Sequence, residues 1–410
     1  PIVKKTFDSL GERSFRNLWI GFLLQMGGMQ MLMIGVSFYI YEMTGSASVL
    51  GIVTSVSAIP AIVLALFGGV IADRLDKKRI IQVGQTASLL VALFIATLIA
   101  TDRIRWEYFL VVSLIQGGVM PLMMPARQAI VPQLVGNARL MNAIAYILAS
   151  HHISWTVGSI LTGHLLNTLG IGSAYALALV SCLLGIVPLK LMNVSNATQA
   201  REETIVVNVV QGIQYVVKNR SLRMLLILSV LTEAFGFSYL VMLPVIAKAV
   251  LNVGPTGLGY LTAAGGIGSL IGTAVVASSN DFKDKWKLLT VGTLSAGVSI
   301  LIFASSPWYE LSLILAAFIG FSLATYDAAI NTLLQTLSSD NMRGRVLGLY
   351  GMTWGFTPAG GFVAGSVASM VGAPFAVGLG GVIILAYTLG VIARMNRNRA
   401  CGLTRPDRNS

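Results

Sequence analysis

The stretch Gly69-Val-Ile-Ala-Asp73-Arg74-Leu-Asp76-Lys77-Lys78-Arg79 closes an apolar run that begins near residue 47. The run is long enough to cross a bilayer as a helix, and it stops at four cations gathered within residues 74–79. Cations at such a stop favour the anionic cytoplasmic leaflet. Gly69 lets a neighbouring helix backbone approach, and Asp73 is placed to accept hydrogen bonds from a helix N-terminus. The pattern returns 208 residues further on, at Asp281-Phe-Lys-Asp284-Lys285-Trp-Lys287, again after an apolar run. Both stretches read D-x-x-D-K-x-[R/K], and a repeat at that spacing implies two similar halves.

Composition extends this reading to the whole chain. Hydrophobic residues make up 55% and charged residues 11% of the 410, with a mean hydropathy of +0.78. Soluble chains carry roughly 25% charged residues, so this one lacks the polar surface to cover water-facing domains. An integral membrane protein is expected, and disorder and nucleic-acid binding are excluded, because the net charge of +12 gathers at span ends. The two cysteines, Cys182 in an apolar run and Cys401 in a polar tail, differ too much in setting to form a bridge. The first apolar run is too long and too Met-rich for a cleaved signal, and is expected to remain as a span.

Cutting the sequence at charged and turn-forming clusters predicts twelve spans, near 16–41, 47–72, 80–101, 107–126, 140–166, 173–192, 222–248, 257–279, 288–305, 310–335, 346–371 and 375–394. With loops alternating between two sides, all Lys and Arg except Arg103, Arg105 and Lys248 fall on one side. That asymmetry places both termini in the cytoplasm. The predicted organisation is a six-helix bundle over 1–192, a linker over 193–221, a second six-helix bundle over 222–394 and a basic tail over 395–410. Within the linker, Ile205, Val206, Val209, Val210, Ile213, Val216 and Val217 recur at helical spacing with Asn208, Gln211, Gln214 and Lys218 between them, which predicts an amphipathic helix on the cytoplasmic surface.

The loop from Gly69 to Arg79 resembles the signature G-x-x-x-D-R-x-G-R-[R/K] of the major facilitator superfamily, with Asp76 where the pattern most often has Gly. The resemblance implies an all-α membrane fold of twelve helices in two pseudo-symmetric six-helix bundles. Pro125-Ala-Arg127-Gln-Ala-Ile-Val-Pro132 with Leu140-Met-Asn142-Ala, and Arg343-Gly-Arg345-Val-Leu-Gly348 leading to Pro358-Ala-Gly-Gly361-Phe-Val-Ala-Gly365, resemble the branch of macrolide-efflux pumps and enterobactin exporters. One departure weakens the inference of antiport: the Gly-Pro element usual in the fifth helix of antiporters reads Gly158-Ser159-Ile-Leu-Thr-Gly163. Gly268-x-x-x-Gly272 and Gly361-x-x-x-Gly365 are expected to serve helix packing.

Ionisable groups inside a span cost roughly 2.5 to 3.5 kcal/mol on insertion scales, so each is a functional candidate. Glu233, near the middle of span seven, is either a proton carrier or a protonated Glu bonded to a neighbouring helix. Asp327, His151 and His152 are the other proton-coupling candidates; the histidines alternatively bond backbone carbonyls. His164 and Glu42 are expected to be solvated near the outer surface. Gln25, Met29, Gln30, Gln116, Trp155 and Phe237 are candidates for an adaptable, largely apolar substrate cavity, although Met is equally an ordinary lipid-facing residue. Signature-loop candidates are Gly69, Asp73, Arg74, Asp76, Lys77 and Arg79. Arg127 and Asp327, at similar depths in equivalent helices, are a candidate gate that pairs across the halves in one state. The alternative has Arg127 snorkelling to headgroups and Asp327 capping a helix end.

No phosphate-binding Gly-x-x-x-x-Gly-Lys-[Ser/Thr] loop, His-Glu-x-x-His or nucleophile elbow occurs, so neither an enzyme nor an ATP motor is expected. No metal or cofactor is expected, and the proton gradient is the expected energy source. The sequence points to a monomeric secondary transporter of the cell membrane that exports a drug-like or siderophore-like amphiphile. Lipid or lysolipid movement, uptake of a small organic anion, and a non-transporting receptor or scaffold are the alternatives.

Overall fold

The structure is a computed structural model that describes residues 9–192, 205–278 and 284–400. After a short turn at Ser9–Gly11 it is built of helices: α1 (Arg13–Thr44), α2 (Ala47–Val56), α3 (Ala58–Arg74), α4 (Lys77–Ala100), α5 (Tyr108–Thr168) and α6 (Ile171–Lys190). Then come α7 (Ile205–Lys218), α8 (Arg220–Leu231), a π-helical turn at Thr232–Gly236, α9 (Tyr239–Ala249), α10 (Pro255–Ser278), α11 (Lys285–Ser305), α12 (Tyr309–Leu337), α13 (Asp340–Thr353), α14 (Phe356–Val371) and α15 (Ala373–Ala400). Among the described residues, ten helical stretches are long and apolar enough to cross a membrane. Residues 137–168 and 340–371, both helical, fall outside those ten.

Several predicted spans differ from the helices, each for a local reason. Spans predicted at 107–126 and 140–166 correspond to two helices within α5 that meet at Gly136, whose φ 67° and ψ 171° break the helix and turn the chain without a loop. The span at 47–72 is two helices, α2 and α3. Pro60 has no N–H to offer Val56, the last residue of α2. The span at 346–371 is likewise split into α13 and α14, with Pro358 four residues beyond Trp354, where α13 is capped. The π turn interrupts the span at 222–248. The amphipathic linker helix lies where the periodicity predicts it, over Ile205–Lys218.

Acidic caps begin the helices that follow both signature-like stretches. Asp76 accepts from the backbone N–H of Lys78 at 2.9 Å, starting α4, and Asp284 accepts from that of Lys287 at 3.2 Å, starting α11. A cap of this kind satisfies an orphan donor and places a negative charge at the positive end of the helix dipole. Arg79 lies 3.8 Å from the Asp76 carboxylate. Lys77 is the first residue of α4. The backbone of Gly69, Asp73 and Arg74 belongs to α3, but their side chains lie outside the described residues, as does Asp281.

Glycines bring helices into backbone contact. A Cβ on Gly268 would lie 1.8 Å from the Ala317 carbonyl and one on Gly320 2.0 Å from that of Gly265, so α10 and α12 touch through bare backbone. At the end of the bundle remote from the basic turns, the early and late helices meet in the same way. Gly51 and Gly365 pair between α2 and α14, and Gly163 and Gly259 between α5 and α10. Ser48 and Ser369 are 2.7 Å apart at the first contact, and Lys248 lies 2.5 Å from Glu42 beside it. Glu42 is therefore ion-paired rather than simply solvated.

Two substitutions distinguish packing within the early or late helices from packing between them. Gly268→Val overpacks α10 against α12 and should lower stability by about 1–3 kcal/mol in thermal unfolding. Gly259→Leu should instead part the remote end. In that variant a short bifunctional thiol cross-linker between Asn167→Cys and Gly254→Cys, where a Cβ on Gly254 would lie 3.7 Å from Asn167 Oδ1, should react less than it does with Gly259 in place.

Candidate functional site

Between α3 and α5 on one side and α12, α13 and α14 on the other lies a cavity of about 1180 Å³. Volumes of roughly 300 to 1,000 Å³ serve small-molecule ligands, so this one has room for a bulky solute. It extends to the basic end, where Asp340, Asn341 and Arg345 line it, and Val209 of the linker helix reaches it. The α3 and α5 wall presents Ala61, Ala65, Met120, Pro121 and Met124 with Gln116 and Gln128. The opposite wall presents Asn331, Gln335, Tyr350 and Trp354. Both proline-induced breaks open onto this space, through Ser57 on one wall and Trp354, Gly355 and Pro358 on the other.

Glu233 sits in the π turn, 5% exposed. The turn nests in backbone contact between two helices: a Cβ on Gly360 of α14 would meet the Ala234 carbonyl at 1.7 Å, and one on Gly380 of α15 the Phe235 carbonyl at 2.4 Å. This seating aims Glu233 at α14, where the Thr357 hydroxyl donates to its Oε2 at 2.5 Å. On α12, the partly buried Asp327 accepts a hydrogen bond from the Tyr350 hydroxyl of α13. Ser229 and Thr353 share a buried hydrogen bond of 2.7 Å between these contacts. Thr232 Oγ1 and the Tyr326 hydroxyl are buried beside them without a hydrogen-bond partner. Asp327 caps no helix end.

Arg127 is 1% exposed in α5, so the snorkelling alternative does not hold. Its guanidinium lies 3.7 Å from the centroid of the Phe22 ring, a cation–π contact, and Nη2 donates weakly to Gln25 Oε1 at 3.5 Å. Gln85 donates to the same oxygen at 2.9 Å. Nε and Nη1 of Arg127 have no partner. Arg127 and Asp327 form no ion pair with each other.

The remaining candidates are dispersed. Gln116 lines the cavity and accepts from Ser88 at 3.3 Å. Gln25 is buried beside Arg127, and Gln30, donating to Ser159 at 3.2 Å, borders with Trp155 only a narrow crevice between α1, α5, α9 and α10. Gln25, Gln30, Met29, Trp155 and Phe237 do not line the large cavity, because α1 and α10 close against α5, and α9 against α1 and α10, above it. The rings of His151 and His152 meet edge to face at 5.5 Å, with Trp155 6.1 Å from His151. His164 shares a 2.8 Å hydrogen bond with Tyr260. Sequence reasoning passed over Thr357, Tyr350 and the cavity amides Gln128, Asn331 and Gln335. Pro60 and Pro358, each inside an apolar run, were the available signal for where the helices break and the cavity lies.

The chain resembles known proteins over nearly its full length. A profile described as transmembrane secretion effector matches residues 4–402. The multidrug efflux pump Tap of Mycolicibacterium fortuitum is 25% identical over 81% of this chain and 84% of its own. Macrolide efflux protein A of Streptococcus pyogenes is 22% identical over 92% and 94%, and the enterobactin exporter EntS of Escherichia coli is 25% identical over 94% and 93%. Among solved structures, a mutant of the nucleoside transporter NupG superposes with a TM-score of 0.76 at 15% identity, covering 92% of this chain and 99% of that one. The human organic anion transporter MFSD10 gives 0.67 at 17% identity, covering 92% and 98%. These are membrane transporters and not enzymes, and the chain belongs to the transmembrane secretion effector family of the major facilitator superfamily.

Proposed function

We propose that this protein is a secondary active transporter that exports an amphipathic, drug-like or siderophore-like molecule by alternating access, driven by the proton gradient. The observation that carries the reading is the large cavity, open at the basic end and closed at the remote end by the glycine contacts and the Glu42–Lys248 pair. One end open and the other sealed is one of the two states such a cycle needs. The cavity supports an amphipathic solute: one wall is rich in Ala, Met and Pro, and the other carries amides and aromatic side chains. The efflux relatives support the outward direction.

The proposal includes the topology. Residues 137–168 and 340–371 cross the membrane with the ten longer stretches, making twelve spans in two six-helix halves joined by the linker at 193–221. The basic end faces the cytoplasm and both termini lie there, because Lys and Arg collect on that side. The protein acts as a monomer in the cell membrane, with the bilayer and its substrate as partners and no bound cofactor.

Glu233 is the proposed proton carrier, with Asp327 next in line and His151 and His152 as auxiliary titrating groups. Glu233→Gln keeps shape and hydrogen-bonding capacity while removing the charge. In proteoliposomes it should abolish flux driven by a pH gradient and spare ligand binding measured on the purified protein. Flux in the parent that is indifferent to the gradient would rule out proton coupling.

The gate belongs to the same proposal. As the cavity closes, Arg127 leaves Phe22 and pairs with Asp327 across the halves, and removing one partner from a desolvated pair costs as much as ~3–5 kcal/mol. Arg127→Asp and Asp327→Arg should each impair transport, and the double exchange should restore part of it. A double no better than the worse single would sink the gate.

A further inference from the structure

Glu233 and Asp327 are bonded to the two sides of one helix break. Tyr350, four residues before Trp354, donates to Asp327, and Thr357, two residues after Gly355, donates to Glu233. Thr353, between them, is bonded to Ser229 of α8. The two helices that meet at the break have different neighbours. α13 lines the cavity and lies against the linker helix, where Gly212 faces Arg345 and Leu349. α14 is packed through Gly360 onto the π turn and through Gly365 onto α2 at the sealed end.

We propose that Tyr350 and Thr357 are positioning residues that convert the protonation of Asp327 and Glu233 into a change of angle between α13 and α14, and so into opening or closing of the cavity. The proposal rests on the reading of Glu233 and Asp327 as proton sites. A hydroxyl bonded to a carboxylate makes a charge-assisted bond roughly twice as strong as its neutral counterpart. With both carboxyls ionised, α13 is held to α12 and α14 to the π turn. Protonation weakens both holds together, and α13 turns at Trp354–Gly355, where Pro358 has already removed a helical hydrogen bond. α14 stays with α2, so the motion appears at the cytoplasmic end. The ligand-free protein therefore shifts its population of cavity shapes with pH.

Few other groups face this cluster. Tyr326 of α12 lies within electrostatic reach of both carboxylates, and the two carboxylates within reach of each other. On α15, the Tyr387 hydroxyl is spent on the Met224 carbonyl. α11 brings Lys285 and Lys287 only in its first turn. Among the described residues no cation is bonded to either carboxylate, so their charge is answered by hydroxyls alone.

The test needs no substrate. Spin labels at Asn341, on the cavity wall of α13, and at Met141, on the exposed face of α5, report the cytoplasmic opening of the full-length chain by pulsed dipolar spectroscopy in lipid nanodiscs. Cys182→Ser and Cys401→Ser remove the native thiols. In this parent the distance distribution should shift between about pH 5 and 9, a range that spans carboxyl groups of ordinary and raised affinity for protons. Thr357→Val and Tyr350→Phe should each reduce that shift by half or more, the pair should erase it, and Thr357→Ser, which keeps the hydroxyl, should restore it. A Thr357→Val, Tyr350→Phe pair that moves with pH like the parent, while Glu233→Gln with Asp327→Asn is fixed, overturns the clamp and leaves the proton sites standing. A shift that persists in Glu233→Gln with Asp327→Asn overturns both.

Discussion

A backbone amide in hydrocarbon has no water to bond, so each peptide group must be answered within the protein. That constraint forces the chain into helices and decides where they are allowed to break. Breaks at Ser57 and at Trp354–Gly355 both open onto the cavity, where polar groups gather and the freed peptide groups are not stranded in lipid. The π turn is the third irregularity, and it lies between α14 and α15, where glycines admit its backbone. Beside these three breaks the protein has cavity or other helices, whereas the turn at Gly136 is exposed with nothing packed on it.

The outline of the fold was legible because it depends on averages. Long apolar runs, the cations that end them and the spacing from Asp73 to Asp281 survive small errors in any one boundary. The amphipathic helix at Ile205–Lys218 was legible for the same reason. What stayed hidden depends on single atoms. That two helices meet at Gly136 with no loop between them follows from one positive φ, and that Asp76 caps α4 follows from its place directly before Lys77.

The site was less legible. Glu233 and Asp327 stood out because carboxylates are rare at membrane depth. Their partners Thr357 and Tyr350 did not, since a hydroxyl in an apolar run usually bonds its own helix backbone, as Thr293 does with Leu289 and Thr388 with Ile384. Gln25 and Gln30 looked like cavity residues for their polarity, yet their amides are taken up by Gln85, Arg127 and Ser159 inside the early helices. Polarity in a span marks a need for a partner; which partner meets it is settled by how the helices rotate against one another.

The ion pair at the sealed end has a consequence of its own. Glu42 and Lys248 are each about half exposed, 48% and 45%, so their attraction is felt through water and its dissolved ions. An exposed pair of this kind contributes about 0–1 kcal/mol, less as salt rises. That is a small energy for folding, but for two shapes of similar stability it is up to about a fivefold change in their ratio. In the proposed cycle, the electrolyte at that end of the protein thereby shifts how often it rests with that door shut, without any molecule being recognised.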